Sequence, residues 1–385
     1  MNNRRKLHFV GLALGSILLA VVLAAGAGLT GCSGAVAAPD ESLPVLPTLK
    51  IDMGPTLGDL TTTSALLTWH TNMPSIGWME LGGERVGEGG PTHIHRVRLQ
   101  GLSAGQTYWY TVKAAADDLS ASVGPHRITT PPASLTEWTF VAYGDTRTRP
   151  VAHRRVVAAM LAANPRLILH TGDLVDSGEL LDDWYHFFPV IGTFARNIPF
   201  YPAIGNHEHN AALYYELLPI PSGGGDYGTE WYAFTWGNCQ FLVLDSCRRI
   251  AEQTQWLKQQ LDQPPPIGVD WRIAMFHHPP FSSGLHGGSE TIEWQWCPLL
   301  EDDGVAVVFC GHDHLYERSV HGGVHYVTVG TGGAPLYPPG ISPNPYSRFA
   351  LASLGFCRID VTPNQLNCVF IDTNQNRYDE FTVTR

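Results

Sequence analysis

Two patterns of apolar and polar positions divide the chain. Between residues 48 and 132, short segments alternate apolar and polar side chains, which is the period of strands with one buried face. Turn residues separate these segments, which lie at 65–69, 76–81, 96–99 and 107–112. The spacing predicts a small antiparallel β-sandwich that is closed by the linker Thr130-Pro131-Pro132.

From residue 138 to residue 385 the pattern changes to apolar runs that alternate with helical stretches. The runs predict buried strands at 138–142, 167–169, 199–204, 272–276 and 305–309. Helical patterns cover 153–163 and 253–261. This order predicts an α/β domain over residues 138–385, which is long enough to bury one large core.

Side chains that can bind metal follow all five of these runs. In chain order they are Asp145, Asp173, Asn206, His277, His312 and His314. Each signal alone is weak, because Asp and Asn also cap turns. Since open α/β sheets carry their site at the carboxyl edge of the strands, five such ends together predict one shared site. The rings of His312 and His314 leave the loop on opposite sides, so they can serve two ions.

The N-terminus predicts export. Residues 1–6 are positively charged, and the uncharged stretch at 7–30 is long enough to span a bilayer. The junction Leu29-Thr30-Gly31-Cys32 resembles a bacterial lipobox, so we expect 1–31 to be a lipoprotein-type signal peptide and a lipidated Cys32 to hold the protein on a membrane. An uncleaved membrane helix is the alternative. Residues 32–47 have the composition of a flexible linker.

The net charge bears on whether the protein binds nucleic acid, and the cysteine content bears on which disulfide bonds it can form. The net charge of −11 comes without any basic run, which argues against nucleic acid as a partner. Six of the seven cysteines remain if Cys32 is acylated, and an exported protein can pair them. Cys357 and Cys368 flank a turn at 362–364 and form our preferred pair. The alternative is that both are small buried hydrophobes.

The order of these motifs resembles the calcineurin-like metallophosphoesterases and, among them, the purple acid phosphatases. The resemblance covers residues 144–318 and rests on Gly-Asp at 144, Gly-Asp-x-x-Asp at 172–176, Gly-Asn-His-Glu at 205–208, and the histidine motifs at 277 and 311–318. It implies a metallophosphoesterase-type β-sandwich flanked by helices. It also implies that the leading sandwich is fibronectin-III-like.

The resemblance further implies a centre of two metal ions, of iron, zinc or manganese. Asp173 would bridge the ions, Asp145 and His314 would complete one set of protein ligands, and the other set is Asn206, His277 and His312. A hydroxide that bridges the ions would attack the phosphorus of a small phosphate ester. Four further residues would act on the substrate or orient a group that does: His207, His286, Arg147 and Asp176. His207 would donate a hydrogen bond or a proton, and the Asp176 side chain would hold its other ring nitrogen.

Two positions depart from the family pattern. Arg147 stands where most metallophosphoesterases have a histidine ligand, and Asp176 stands where purple acid phosphatases have a tyrosine ligand. The first ion is therefore one protein ligand short, and water, Asp176 or His153 could fill the place. We expect an exported phosphoesterase that favours phosphomonoesters. The alternatives are a phosphodiesterase of the same fold and a catalytically weakened, surface-tethered binding protein.

Overall fold

The computed structural model describes residues 47–385 with the exception of 88, 148 and 342. The predicted signal peptide, Cys32 and nearly all of the predicted linker lie outside these residues. Residues Thr48–Arg385 form one compact unit. Within the described part of the chain, every helix is too short or too polar to cross a bilayer.

Six strands make up the leading region. They are β1 (Ile51–Gly58), β2 (Ser64–Leu81), β3 (Glu84–Val86), β4 (Thr92–Gln100), β5 (Thr107–Ala116) and β6 (Leu119–Thr129). Strand β2 pairs with β1 and β4 along its first half and with β3 and β5 along its second half. The segments predicted at 65–69 and 76–81 are thus one 18-residue strand, whose register shifts between His70 and Ser75. The all-β character of the region agrees with the prediction.

Strands and helices alternate in the rest of the chain. They are β7 (Trp138–Tyr143), α1 (Pro150–Leu161), β8 (Leu167–His170), α2 (Leu181–Ile191), β9 (Phe200–Pro202), α3 (Ala212–Leu217), β10 (Gly223–Gly224), β11 (Trp231–Trp236), β12 (Cys239–Val243), α4 (Ile250–Leu261), β13 (Trp271–Met275), α5 (Glu290–Gln295), α6 (Cys297–Asp302), β14 (Val307–Cys310), β15 (Tyr316–His321), β16 (Val324–Val329), β17 (Ser347–Leu351), β18 (Gly355–Val361), β19 (Gln365–Asp372) and β20 (Arg377–Thr384).

Two mixed sheets face each other across an aromatic core. One has the order β10-β11-β12-β13-β14-β16-β15-β17 and the other β20-β19-β18-β7-β8-β9. The strands β7, β8 and β9 run parallel in one sheet, and β12, β13 and β14 run parallel in the other. Between the sheets, the ring of Phe140 packs edge-on against Phe241 and Phe309 at 5.5 and 6.1 Å. The α/β sandwich with flanking helices is confirmed.

The predicted hairpin around residue 363 forms, but the cysteine pair does not. Cys357 lies opposite Phe370 and Cys368 lies opposite Ile359, so the two cysteines are diagonal neighbours rather than direct partners. Diagonal side chains on a sheet stand farther apart than a disulfide allows. Both are free, buried thiols, as the alternative interpretation expected.

The leading sandwich is joined to the second region by direct hydrogen bonds. The Tyr110 hydroxyl donates to the Arg196 carbonyl at 2.6 Å, and the Thr68 hydroxyl donates to the Leu217 carbonyl at 2.6 Å. The Arg96 guanidinium donates at 3.2 Å to two carbonyl oxygens at the end of α3. Apolar residues of both regions belong to one continuous core. The sandwich therefore holds α3 and the segment after α2 in place.

Candidate metal centre

The candidate site lies where the parallel strands of both sheets end. Asp145 follows β7, Asp173 follows β8, and His312 follows β14. All three have left-handed backbones, with φ of 58°, 55° and 70°. This conformation is costly for residues other than glycine and is typical of functional sites, where surrounding contacts enforce it. Here the left-handed backbone turns each of the three side chains toward the edge at which the parallel strands end.

Asp145, Asp173 and His277 form the buried centre of the site. Their potential ligand atoms all lie within 4.8 Å of one another. His277 Nε2 is 3.2 Å from Asp173 Oδ1, and the Asp145 carboxylate accepts a hydrogen bond from the His312 backbone N–H at 3.0 Å. Burial raises the pKa of Asp145, and the nearby Asp173 charge adds to this effect. Two buried carboxylates at this spacing call for compensating positive charge.

Asn206 joins the buried centre to His312. The Asn206 Oδ1 atom lies 3.0 Å from His277 Nε2 and 3.0 Å from His312 Nδ1. His277 Nδ1 donates to the Thr171 carbonyl at 2.8 Å, so a neutral ring has no proton left on Nε2. Nε2 nevertheless faces two oxygen acceptors, Asn206 Oδ1 and Asp173 Oδ1. A metal cation shared by this nitrogen and these oxygens satisfies all three, so the residues fit a metal site.

Arg147 occupies the edge of the site where the other ligand set is predicted. His314 Nδ1 donates to the Pro335 carbonyl at 2.8 Å, and its Nε2 lies 3.7 Å from Asp145 Oδ1. Arg147 Nη2 donates to this same Nε2 at 3.0 Å. Arg147 Nε lies 3.9 Å from Asp173 Oδ2. The guanidinium thus competes for the lone pair with which His314 would bind an ion.

His207 stands beside the predicted ligands without belonging to either set. Its backbone N–H donates to Asp173 Oδ1 at 3.1 Å, and its Nε2 accepts from Arg147 Nη1 at 2.6 Å. Its Nδ1 donates at 2.7 Å to the backbone carbonyl of Asp176, where we expected the Asp176 carboxylate. The Asp176 carboxylate lies instead 3.8 Å from Arg147 Nη1. Asp176 orients the ring through its main chain.

The structure removes one candidate for the missing ligand of the first ion. His153 is buried in the core, where its Nε2 contacts the Tyr143 hydroxyl at 3.1 Å and its ring stacks on Phe187. Burial lowers the pKa of His153 to about 3. It is a core residue and does not approach the predicted ligands. Water and Asp176 remain as candidates.

His286 lies at the outer rim of the site. Its exposed ring is 4.5 Å from the ring of His312, and its backbone N–H donates to Asp313 at 3.0 Å. His278 lies equally close to His312, with 4.3 Å between the rings, and its Nδ1 contacts the Ser246 hydroxyl at 2.9 Å. The structure therefore brings all ten predicted site residues to this edge.

Two buried acids that support the site were missed by the sequence analysis. The Glu208 carboxylate accepts backbone N–H groups from Gly205 and from the Asp173–Val175 turn, at 2.7 to 3.3 Å. The Asp313 carboxylate accepts from the Tyr337 hydroxyl at 2.7 Å, from the Ser282 hydroxyl and from His286. Both acids are adjacent to, or two residues from, predicted ligands. An acid in such a position is the signal that could have found them.

Comparison with known proteins agrees with this geometry. Residues 139–316 match the model of the calcineurin-like phosphoesterase family. Purple acid phosphatase 15 of Arabidopsis thaliana is 26% identical over 333 residues, which cover 71% of this chain and 61% of the relative. An uncharacterized protein of Mycobacterium tuberculosis is 25% identical over 272 residues, which cover 59% of this chain and 50% of that protein.

Among solved structures, a purple acid phosphatase from yellow lupin (Lupinus luteus) seeds superposes with a TM-score of 0.74 at 17% identity. The superposition covers 86% of this chain and 74% of the lupin chain. The chain spans 50% and 61% of the length of the two curated relatives above. The predicted resemblance is confirmed, whereas the fibronectin-III-like identity of the leading sandwich stays a prediction.

Proposed function

Because residues 139–316 match the model of the calcineurin-like phosphoesterase family, we propose that the protein is a metal-dependent hydrolase of phosphate esters. The observation that carries the proposal is the convergence of the six predicted ligands with His207 and Arg147 at one edge. Two bound ions of iron, zinc or manganese would polarise the phosphoryl group and activate water there. Asp173 is the ligand that would contact both.

The side chains around the ligands have their own tasks in this proposal. Arg147 is permanently cationic and presents two N–H groups at the edge, where it can donate to phosphoryl oxygens. His207 has its Nδ1 fixed on a carbonyl, so its Nε2 faces the same edge and can exchange a proton with the leaving oxygen. His286 is held over His312 by Asp313, in a position to contact the outer part of the substrate.

Phosphomonoesters are the favoured substrates. A monoester carries up to two negative charges at neutral pH, whereas a diester carries one. The guanidinium of Arg147 adds a fixed positive charge to a site that already takes cations, and this charge favours the more negative substrate. The two acid phosphatases named above support the same choice by similarity. A phosphodiesterase of the same fold is the nearest alternative.

A catalytically weakened binding protein is the second alternative. It is favoured by one observation, the occupation of the His314 lone pair by Arg147. The position of His207 supports the enzyme, since this residue has no ligand role and yet is hydrogen-bonded on both ring nitrogens at the site.

The test is turnover of an aryl phosphate monoester and a bis-aryl phosphate diester by protein of known metal content. We expect kcat/KM to be at least about tenfold higher for the monoester, and we expect metal-stripped protein to be inactive. A higher kcat/KM for the diester would establish the phosphodiesterase. Full occupancy of both metal sites without turnover of either substrate would establish the binding protein.

We also propose that the enzyme is exported and held on a membrane through lipid on Cys32. The support is the lipobox-like junction after an uncharged stretch. Substitution of Cys32 by serine should abolish acylation and change the retention of the protein in the membrane fraction, because it removes the thiol that is acylated. Mass spectrometry of the mature wild-type protein is the check. A retained Met1 would support a transmembrane anchor instead.

A further inference from the structure

Two carboxylates that belong to neither predicted ligand set are buried near the end of the β11–β12 ladder. Tyr232 pairs with Val243 in this antiparallel ladder. The same register, continued by two residues, would set Glu230 opposite Asp245, and the Glu230 charge acts on the Asp245 carboxyl. Side chains directly opposite each other share one face of a sheet and lie close together. Glu230 is 3% exposed and Asp245 is 1% exposed.

Three of the four carboxylate oxygens have no hydrogen-bond partner among the described residues. These are both oxygens of Glu230 and Oδ2 of Asp245. Asp245 Oδ1 accepts the backbone N–H of Cys247 at 2.8 Å. Arg248 attracts Asp245 electrostatically, but no described Lys, Arg or His nitrogen lies within 4.0 Å of either carboxylate. Buried acids are normally paired, because an unpaired charge away from water is very unfavourable.

The chain is shaped to enclose the Glu230 carboxylate. Gly225 has a left-handed backbone with φ of 90°, and a Cβ atom at this position would lie 2.0 Å from Glu230 Oε2. The backbone N–H of Glu230 donates to the Gly224 carbonyl at 2.9 Å, which folds the glycine turn back over the acid. Any residue larger than glycine would fill the space beside these oxygens.

We propose that Glu230 and Asp245 bind a hard divalent cation, with Ca²⁺ as the ion of best fit. The unpartnered atoms are all carboxylate oxygens, which Ca²⁺ prefers, whereas zinc favours nitrogen and sulfur. The cation would supply the missing positive charge and link the turn at 223–225 to the loop after β12. This loop also carries Ser246, whose hydroxyl contacts His278 beside the metal centre.

A proton shared by the two acids is the competing explanation. Burial, with a contribution from the Glu230 charge, raises the pKa of Asp245 to about 6. A bound cation would compensate two ionised carboxylates, whereas a shared proton would compensate only one. The two explanations differ in what removal of one carboxylate does to stability.

The experiment adds Ca²⁺ to protein whose metal centre is already loaded, at about pH 7.5, and measures both calorimetric binding and melting temperature. We expect one Ca²⁺ per chain and a rise in melting temperature of about 2–4 °C with Ca²⁺ well above its dissociation constant. Mg²⁺ should give a smaller rise, because it sheds its water less readily. Glu230→Gln should abolish both the binding and the rise. Glu216→Gln, the same change at an exposed glutamate of α3, should leave both intact.

Two results would overturn the proposal. One is wild-type protein that binds no Ca²⁺ up to about 5 mM, above the usual range of extracellular calcium sites. The other is an equal Ca²⁺ response in wild type and Glu230→Gln. If Glu230→Gln raises the melting temperature without Ca²⁺, and wild type does not bind the ion, the acids share a proton. If Glu230→Gln does not fold, Asp245→Asn takes its place, and the wild-type titration still decides.

Discussion

Substitution of Asp173 by asparagine is expected to remove metal from both predicted sites and to lower kcat/KM by about 10⁴-fold or more. The Asp173 carboxylate lies 3.2 Å from His277 Nε2, and its Oδ2 lies 3.9 Å from Arg147 and from His207. Asparagine keeps the size of the side chain but removes the charge that would hold two cations. The Glu208 carboxylate accepts the backbone N–H of residue 173 and does not contact its side chain. The turn at residues 173–175 should therefore persist in the variant.

The matched control is His207→Ala, which removes a neighbour of the ligands but no ligand. It should retain both ions and lose about 10²–10⁴-fold in rate, which is the usual contribution of a general acid or base. Metal content is measured by elemental analysis on the same samples that are assayed. Equal loss of metal in the two variants would contradict the bridging role of Asp173.

Substitution of Arg147 by histidine is expected to strengthen metal binding at the site of Asp145 and His314 by about 10–100-fold. The change removes the guanidinium that donates to His314 Nε2 at 3.0 Å. It also removes a positive charge from the neighbourhood of the ion and offers a new imidazole ligand. Because the variant lacks the guanidinium that would bind the phosphoryl oxygens, KM for a monoester should rise. Competition with a chelator measures the affinity, and steady-state kinetics measures KM.

Arg147→Gln is the control that separates the loss of positive charge from the gain of an imidazole ligand. Glutamine removes the charge but adds no imidazole, so a gain shared by both variants would come from electrostatics alone. A gain in Arg147→His only would come from the new ligand. Unchanged affinity in both variants would show that Arg147 does not oppose the ion.

The strand ends and their polar residues could be predicted because they are local signals. Asp145 and His312 directly follow apolar runs, so one segment of sequence holds both the strand and its ligand. The part played by Asp176 could not be predicted from side-chain types, because the acceptor for His207 is a main-chain oxygen. The cysteine pair failed on register, since a shift of two residues along β19 separates Cys357 from Cys368.

In the leading sandwich, too, the local sequence pattern did not predict the strand boundaries. The polar interval near residues 71–75 resembles a turn, yet β2 continues through it because two different sets of strands pair with its halves. The task of Glu208 could not be predicted for a related reason. Its position two residues after Asn206 marks it as a candidate, but the four backbone N–H groups that it accepts are brought together only by the fold.

The junction between the two regions limits how the molecule can move. Thr130, at the start of the predicted linker, is fully buried, and its hydroxyl donates to the Ser103 carbonyl at 2.6 Å. The Gly105 N–H donates to the Pro131 carbonyl at 3.0 Å. A hinge needs residues that are free to change their backbone angles, whereas these linker residues are hydrogen-bonded to the sandwich, which is itself bonded to the second region. The entropy of arranging the sandwich beside α3 is therefore lost once, during folding, and is not a cost of substrate binding.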